Sequence, residues 1–219
     1  MLQKIWDQAK KINDDGWKTS CGICVVASWA CCYHLQFNFL LVLYVAGGML
    51  YEQTVEWLAH HFLQHGRNRT LVFFKARHMR HHRDPVTHHA LQPVVIFVPV
   101  VLGLLMPFVA LIVWGTPIWR SNAGAVIVGF LLTHAVLNIE HYDIHAKKKI
   151  VPRTIRNTRY YQAVIRYHQA HHAHIPLSAG VYGITNPWFD LLLHKMKIDA
   201  YMRQVVDRGL SRFDRILYG

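Results

Sequence analysis

From Val94 to Trp114 the chain carries no ionisable side chain, a run long enough to cross the hydrocarbon core of a bilayer. Ala123 to Ile139 is nearly as apolar, with His134 its only titratable group. A third apolar zone starts at Cys21, is interrupted around residues 34–38, and continues past Tyr51 towards Ala59. That zone is too long for one crossing and suits two. Only 16% of the 219 residues are charged, less than a soluble domain of this size normally carries. The expectation is an all-α integral membrane protein with four transmembrane helices, at about 21–36, 38–60, 93–116 and 121–140. Pro99 and Pro107 fall inside the third, where neighbouring helices can satisfy the freed carbonyls. Gly115 through Asn122 reads as a short turn before the fourth.

The charge that remains is strongly positive, +12 overall, and unevenly placed. It gathers in residues 1–20, in 66–92 and after Ala146, whereas the two short turns between spans carry only Arg120. By the positive-inside rule both termini face the cytoplasm, in the endoplasmic reticulum or a bacterial inner membrane. Residues 1–20 have helical apolar periodicity at Leu2, Ile5, Trp6, Ala9 and Ile12 and no cleavage site, which suits an amphipathic segment on the membrane surface. A membrane domain over 21–195 and a basic tail over 196–219 complete the division. The basic residues flank spans without any recognition motif, so no nucleic acid is expected. Cys21, Cys24, Cys31 and Cys32 all lie in the first apolar zone and read as packed thiols, because no second pair completes a zinc site.

Histidine carries the chemistry. The pattern H-x-x-H-H occurs twice, as His78, His81, His82 and as His168, His171, His172. On a helix these spacings turn three imidazoles to one side. A pair precedes each triplet: His60 or His61 with His65, then His141 with His145. His61 and His65 have the favourable i,i+4 spacing, while His60 and His65 stand about 140° apart on a regular helix and would need a local distortion. The set of ten is then His60 or His61, His65, His78, His81, His82, His141, His145, His168, His171 and His172, all in the cytosolic cap. One ion rarely takes more than about six ligands, so ten imply a dimetal site. His134 either lines a substrate path or bonds within the bundle. His34, His88, His89, His174 and His194 stand outside the pattern. Glu56, Glu140, Asp143 and Asp190 are placed to take the outward N–H of a liganding imidazole.

Glu56-Trp57-Leu58-Ala59-His60-His61-Phe62-Leu63-Gln64-His65 is similar to the E-Y-x-x-H-R-F-L-x-H segment of the fatty acid 2-hydroxylases. His81-His82-Arg83-Asp84-Pro85 resembles H-H-x-x-P, and Glu140-His141-Tyr142-Asp143-Ile144-His145 resembles H-Y-x-x-H. Gly183-Ile184-Thr185-Asn186-Pro187-Trp188-Phe189-Asp190 resembles the G-I-S/T-x-x-W-D ending. Over about residues 40–195 the chain therefore resembles the fatty acid hydroxylase superfamily. The interval from His65 to His78 is closer to the sterol-oxidase branch, and Tyr161-Gln162-Ala163 is similar to the carotenoid hydroxylases. The resemblance assigns His60 as the first ligand.

It also implies a non-haem di-iron oxidoreductase that uses O2 and external electrons to hydroxylate a lipid acyl chain, at C2 on the 2-hydroxylase motifs. The cofactors would be two iron ions, which zinc can replace in purified protein. Without a fused cytochrome-b-like domain, electrons would come from a separate cytochrome-b-type protein or ferredoxin. Sterol or carotenoid oxidation is the alternative within the superfamily. A membrane metal transporter is the rival from another class, against which the histidines lie at span ends rather than at the bilayer midplane.

Overall fold

The computed structural model describes residues 16–33, 35–36, 39–65, 72–85, 104–173 and 190. Every regular element among them is helical: α1 Gly16–Cys32, α2 Phe39–Leu58, a π-helical turn Ala59–Gln64, α3 Val72–Arg83, α4 Leu104–Trp114, α5 Pro117–His145, α6 Arg153–Arg156 and α7 Arg159–Ala173. The amphipathic segment before residue 16, Pro99, His34, His88, His89, His174, His194, the motif 183–189 and the tail 196–219 lie outside the described residues. The chain divides into two compact units, Met1–Gln53 with His88–Ile139 and Thr54–Thr87 with Glu140–Gly219.

The first unit is a helix bundle held at close range by small residues. A side chain at Gly48 would collide with the Val126 carbonyl, and one at Gly129 with the Val45 carbonyl. Glycine at both positions lets the backbones of α2 and α5 touch, the device that packs helices where no hydrophobic effect drives them together. Gly124 brings α5 near the Cys31 carbonyl of α1 less tightly, a Cβ there standing 3.3 Å from it. Polar bonds add register: Asn138 Nδ2 donates to Ser20 Oγ (3.3 Å), the Cys21 thiol to the Ala135 carbonyl (3.6 Å) and the Gln36 amide to Ser121 Oγ (2.8 Å). Tyr51 bonds the Leu104 carbonyl at 3.3 Å and sets its ring against Phe108 and Phe130. Cys24 is fully buried, as a packed thiol should be, whereas Cys21 and Cys31 are half-buried and Cys32 is exposed; none of the four forms a disulfide.

Large apolar side chains also point outward from these helices. Trp29, Phe39 and Trp114 are 78%, 84% and 82% exposed. Among the described residues one helix, α5, is long and apolar enough to cross a membrane; Lys18–Cys32 and Leu104–Trp114 are shorter apolar helices. α2 has 20 residues but includes Glu52 and Glu56.

The turn before α5 is shorter than its composition suggests. Residues 117–122, expected as turn, are helical. Proline loses nothing at the first helical position, where its missing N–H would have no partner anyway. Arg120 then reaches back to the end of α4, with Nε on the Gly115 carbonyl (2.8 Å) and a terminal nitrogen on that of Val113 (3.4 Å). At the other boundary, α3 ends at Arg83 as the Asp84-Pro85 step predicts.

The second unit contains the π-turn, α3, the end of α5, α6 and α7. Its organising residue is Asp143. Oδ1 accepts the amides of Ile150 (2.6 Å) and Val151 (2.9 Å), and Oδ2 accepts the Tyr161 hydroxyl (2.8 Å). Lys149 Nζ meanwhile donates to the carbonyls of Asp143 (2.7 Å) and Ile144 (3.0 Å) near the C-terminus of α5, where a cation is favoured. These bonds fold the chain back and tie α7 to the end of α5. Thr158 caps α7 by accepting the Tyr161 amide at 3.2 Å.

Candidate metal centre

Four segments of the second unit each deliver histidines to one buried cluster. The π-turn supplies His60 and His65, α3 supplies His78, His81 and His82, α5 ends on His141 and His145, and α7 supplies His168, His171 and His172. All ten are buried.

They sort into two groups, each with its ligand-capable atoms within 4.8 Å of one another: His81, His141, His145, His168, His172, and His60, His65, His78, His171. Neither triplet forms a group by itself. His78 leaves its own triplet for the second group, and His171 does the same from α7. His82 adjoins both, with its ring 4.6 Å from His171 and 4.4 Å from His172.

Two nitrogens are focal. His78 Nε2 lies 3.0 Å from His60 Nε2, 2.8 Å from His65 Nε2 and 2.8 Å from His82 Nε2. His168 Nε2 lies 2.7 Å from His145 Nε2 and 3.0 Å from His172 Nε2, and His141 Nε2 is 3.2 Å from His81 Nε2. A neutral imidazole nitrogen has one proton or one lone pair, so hydrogen bonding cannot account for three such contacts at His78. A shared cation can. With metal–nitrogen bonds of about 2.1 Å, two ligands at 90° stand about 3.0 Å apart, and two at the tetrahedral angle about 3.4 Å. The observed separations, 2.7–3.2 Å, are of the size that ligands of one ion keep.

The protonation states agree. Burial, with neighbouring imidazoles adding to it, holds His65, His78, His168 and His172 well below the ordinary imidazole value, and burial alone lowers His82 to about 4. Neutral imidazole is the ligating form. The cluster can therefore hold metal ions.

His60, not His61, enters the cluster, against the simple helical argument. His61 packs its ring on Trp57 (4.9 Å) and Phe62 (4.5 Å) instead. His134 lies in the first unit and bonds within it, its Nδ1 3.0 Å from Glu52 Oε1. Asp143 departs from expectation as well. Both Asp143 oxygens go to the turn after α5 and to Tyr161 rather than to an imidazole. Asp190 accepts Trp57 Nε1–H (2.8 Å) and the Tyr167 hydroxyl. It thereby joins the residue three before His60 to the residue before His168. Trp57 and Asp190 both stand in the quoted motifs, but no spacing rule pairs positions so far apart.

A family model described as fatty acid hydroxylase matches residues 45–195. Comparison with curated proteins gave no match. Comparison with solved structures gave none either.

Proposed function

Because the chain belongs to the fatty acid hydroxylase family, we propose that it is a membrane di-iron monooxygenase that hydroxylates a lipid acyl chain. The observation that carries this reading is the pair of imidazole groups drawn from four segments, with Nε2 separations of 2.7–3.2 Å. His81, His141, His145, His168 and His172 would hold one ion, and His60, His65, His78 and His171 the other, with His82 between. Ten imidazoles are more donors than two four-coordinate zinc ions would take, which favours iron. Bound iron would supply O2 activation and oxygen insertion into a C–H bond.

The chain's own residues do the rest. Burial keeps the imidazoles neutral and excludes water from the cluster. Asp143 and Asp190 hold the helices that present them. The outward apolar surface of the first unit supports four spans in a bilayer, with termini and histidines cytosolic. An acyl lipid would keep its headgroup at the interface and its tail in the hydrocarbon, which places C2 nearest the histidines. Electrons would come from a separate cytochrome-b-type protein or ferredoxin.

The test is expression with a compatible reductase under 18O2, followed by mass spectrometry of hydrolysed lipids. A 2-hydroxy acid carrying one labelled oxygen, absent in His168→Ala, is the expected product. An oxidised sterol or carotenoid with unchanged acyl chains would move the chain to another branch of the family.

A further inference from the structure

Away from the histidines, the turn after α5, α6 and the outer side of α7 enclose a cavity of about 300 Å3. Lys149, Arg153, Arg156 and Arg166 line it, against one carboxylate, Asp143. That carboxylate is already engaged by two amides and the Tyr161 hydroxyl. Two polar groups in the wall lack partners among the described residues. Arg156 Nε is buried without an acceptor, and Gln169 is only 7% exposed with Oε1 unbonded. A half-turn of the Gln169 amide would present its NH2 to the cavity. Gln162 Nε2 donates to the Arg156 carbonyl at 2.8 Å and steadies the wall. Burial lowers the Lys149 pKa, Asp143 opposes that shift and Arg156 adds to it, so one carboxylate faces four cations in this wall.

Buried donors and excess positive charge around a cavity are what an oxyanion would satisfy. We propose that this cavity is a binding site for a phosphate-type oxyanion, carried by a lipid headgroup or free in the cytosol. Arg156 and Arg166 supply charge-assisted bonds, Lys149 its remaining N–H, and Gln169 a neutral donor from the stretch between His168 and His171. The site is separate from the metal chemistry proposed above and does not require it.

The experiment uses the full chain in phosphatidylcholine nanodiscs. In one arm inorganic phosphate is titrated and binding is read from radiolabel and from the unfolding midpoint. In the other, the nanodiscs are doped with phosphatidic acid. Saturable binding in the first arm identifies a free anion, and a shift confined to the second identifies a headgroup. Either supports the site if Arg156→Gln weakens it about tenfold or more, as loss of a charge-assisted bond should. Arg166 is exposed, so Arg166→Gln gives the same test if Arg156→Gln fails to fold. Arg159→Gln, outside the cavity, should change nothing. Absence of saturable binding in both arms overturns the proposal, and so does equal weakening by Arg159→Gln, the mark of unspecific charge attraction.

Discussion

The backbone N–H of His65 bonds the carbonyl of His60, five residues back, at 3.0 Å, and the two imidazoles stand 5.0 Å apart between ring centroids. An α-helix would make that bond four residues back and set the two rings about 140° apart. The π-turn Ala59–Gln64 adds one residue to the turn and brings positions i and i+5 onto one side. Such turns cost regular hydrogen-bond geometry, and here the return is a second imidazole beside His78.

His60→Ala should therefore lower metal affinity by more than about 100-fold, beyond the range seen for partners that only support ligands. His61→Ala should retain metal and most activity, since that ring packs on Trp57 and Phe62. Metal analysis of both purified variants checks the pair. Loss of metal in His61→Ala alone would mean that the regular-helix argument was right.

Nine of the ten clustered histidines were legible because helical spacing marks which imidazoles share a side; His60 came from the resemblance, against the spacing. What spacing does not encode is exchange between helices. His78 and His171 each leave their own triplet, and that follows from how α3 and α7 pack. The π-turn was only half legible: pairing His60 with His65 required a local distortion, but nothing in Ala59–Gln64 forbids an ordinary helix, so tertiary context selects it. That 39–58, 104–114 and 123–139 are apolar helical stretches was readable from composition, and α5 alone of these is long and apolar enough to cross a membrane, whereas its start at Pro117 was hidden by turn-forming composition in 115–122. The anion cavity was missed because its cations looked like part of a uniformly basic region.

Asp190 offers a test of what holds the cluster from outside. Asp190→Ala would leave the Trp57 N–H and the Tyr167 hydroxyl without their buried acceptor, costing about 1–3 kcal/mol for each group so stranded. Metal affinity should fall by about ten- to a hundredfold, as for groups that orient ligands. Thermal unfolding and metal titration on one preparation read both. A lower unfolding midpoint with unchanged metal affinity would reduce Asp190 to a packing role.

Topology is open to a direct check. Reporter fusions at residues 75 and 219 should both read cytosolic, and fusions at 36 and 118 should read external. An odd number of crossings between 75 and 219 would put the two triplets on opposite sides and contradict a shared cluster.

The metal-free protein should lose stability as pH falls. His82 is held at about 4 in the fold against an ordinary 6.5. Below 6.5 the unfolded chain therefore binds protons that the folded chain refuses. The stabilisation is fully present above about 6.5 and declines as pH drops towards 4, with His65, His78, His168 and His172 acting in the same direction. Unfolding midpoints across this range should fall with pH for the apo form, and bound metal, which also keeps the imidazoles unprotonated, should raise the curve without removing its slope. A midpoint independent of pH would contradict burial as the cause.

Anaerobic titration of the metal-free protein with ferrous iron, followed by Mössbauer spectroscopy, bears most directly on the centre itself. Saturation at two ions per chain is expected, one for each imidazole group, with spectra of nitrogen-rich, more than four-coordinate iron. Saturation at a single ion, or iron that washes away without saturating, would contradict it.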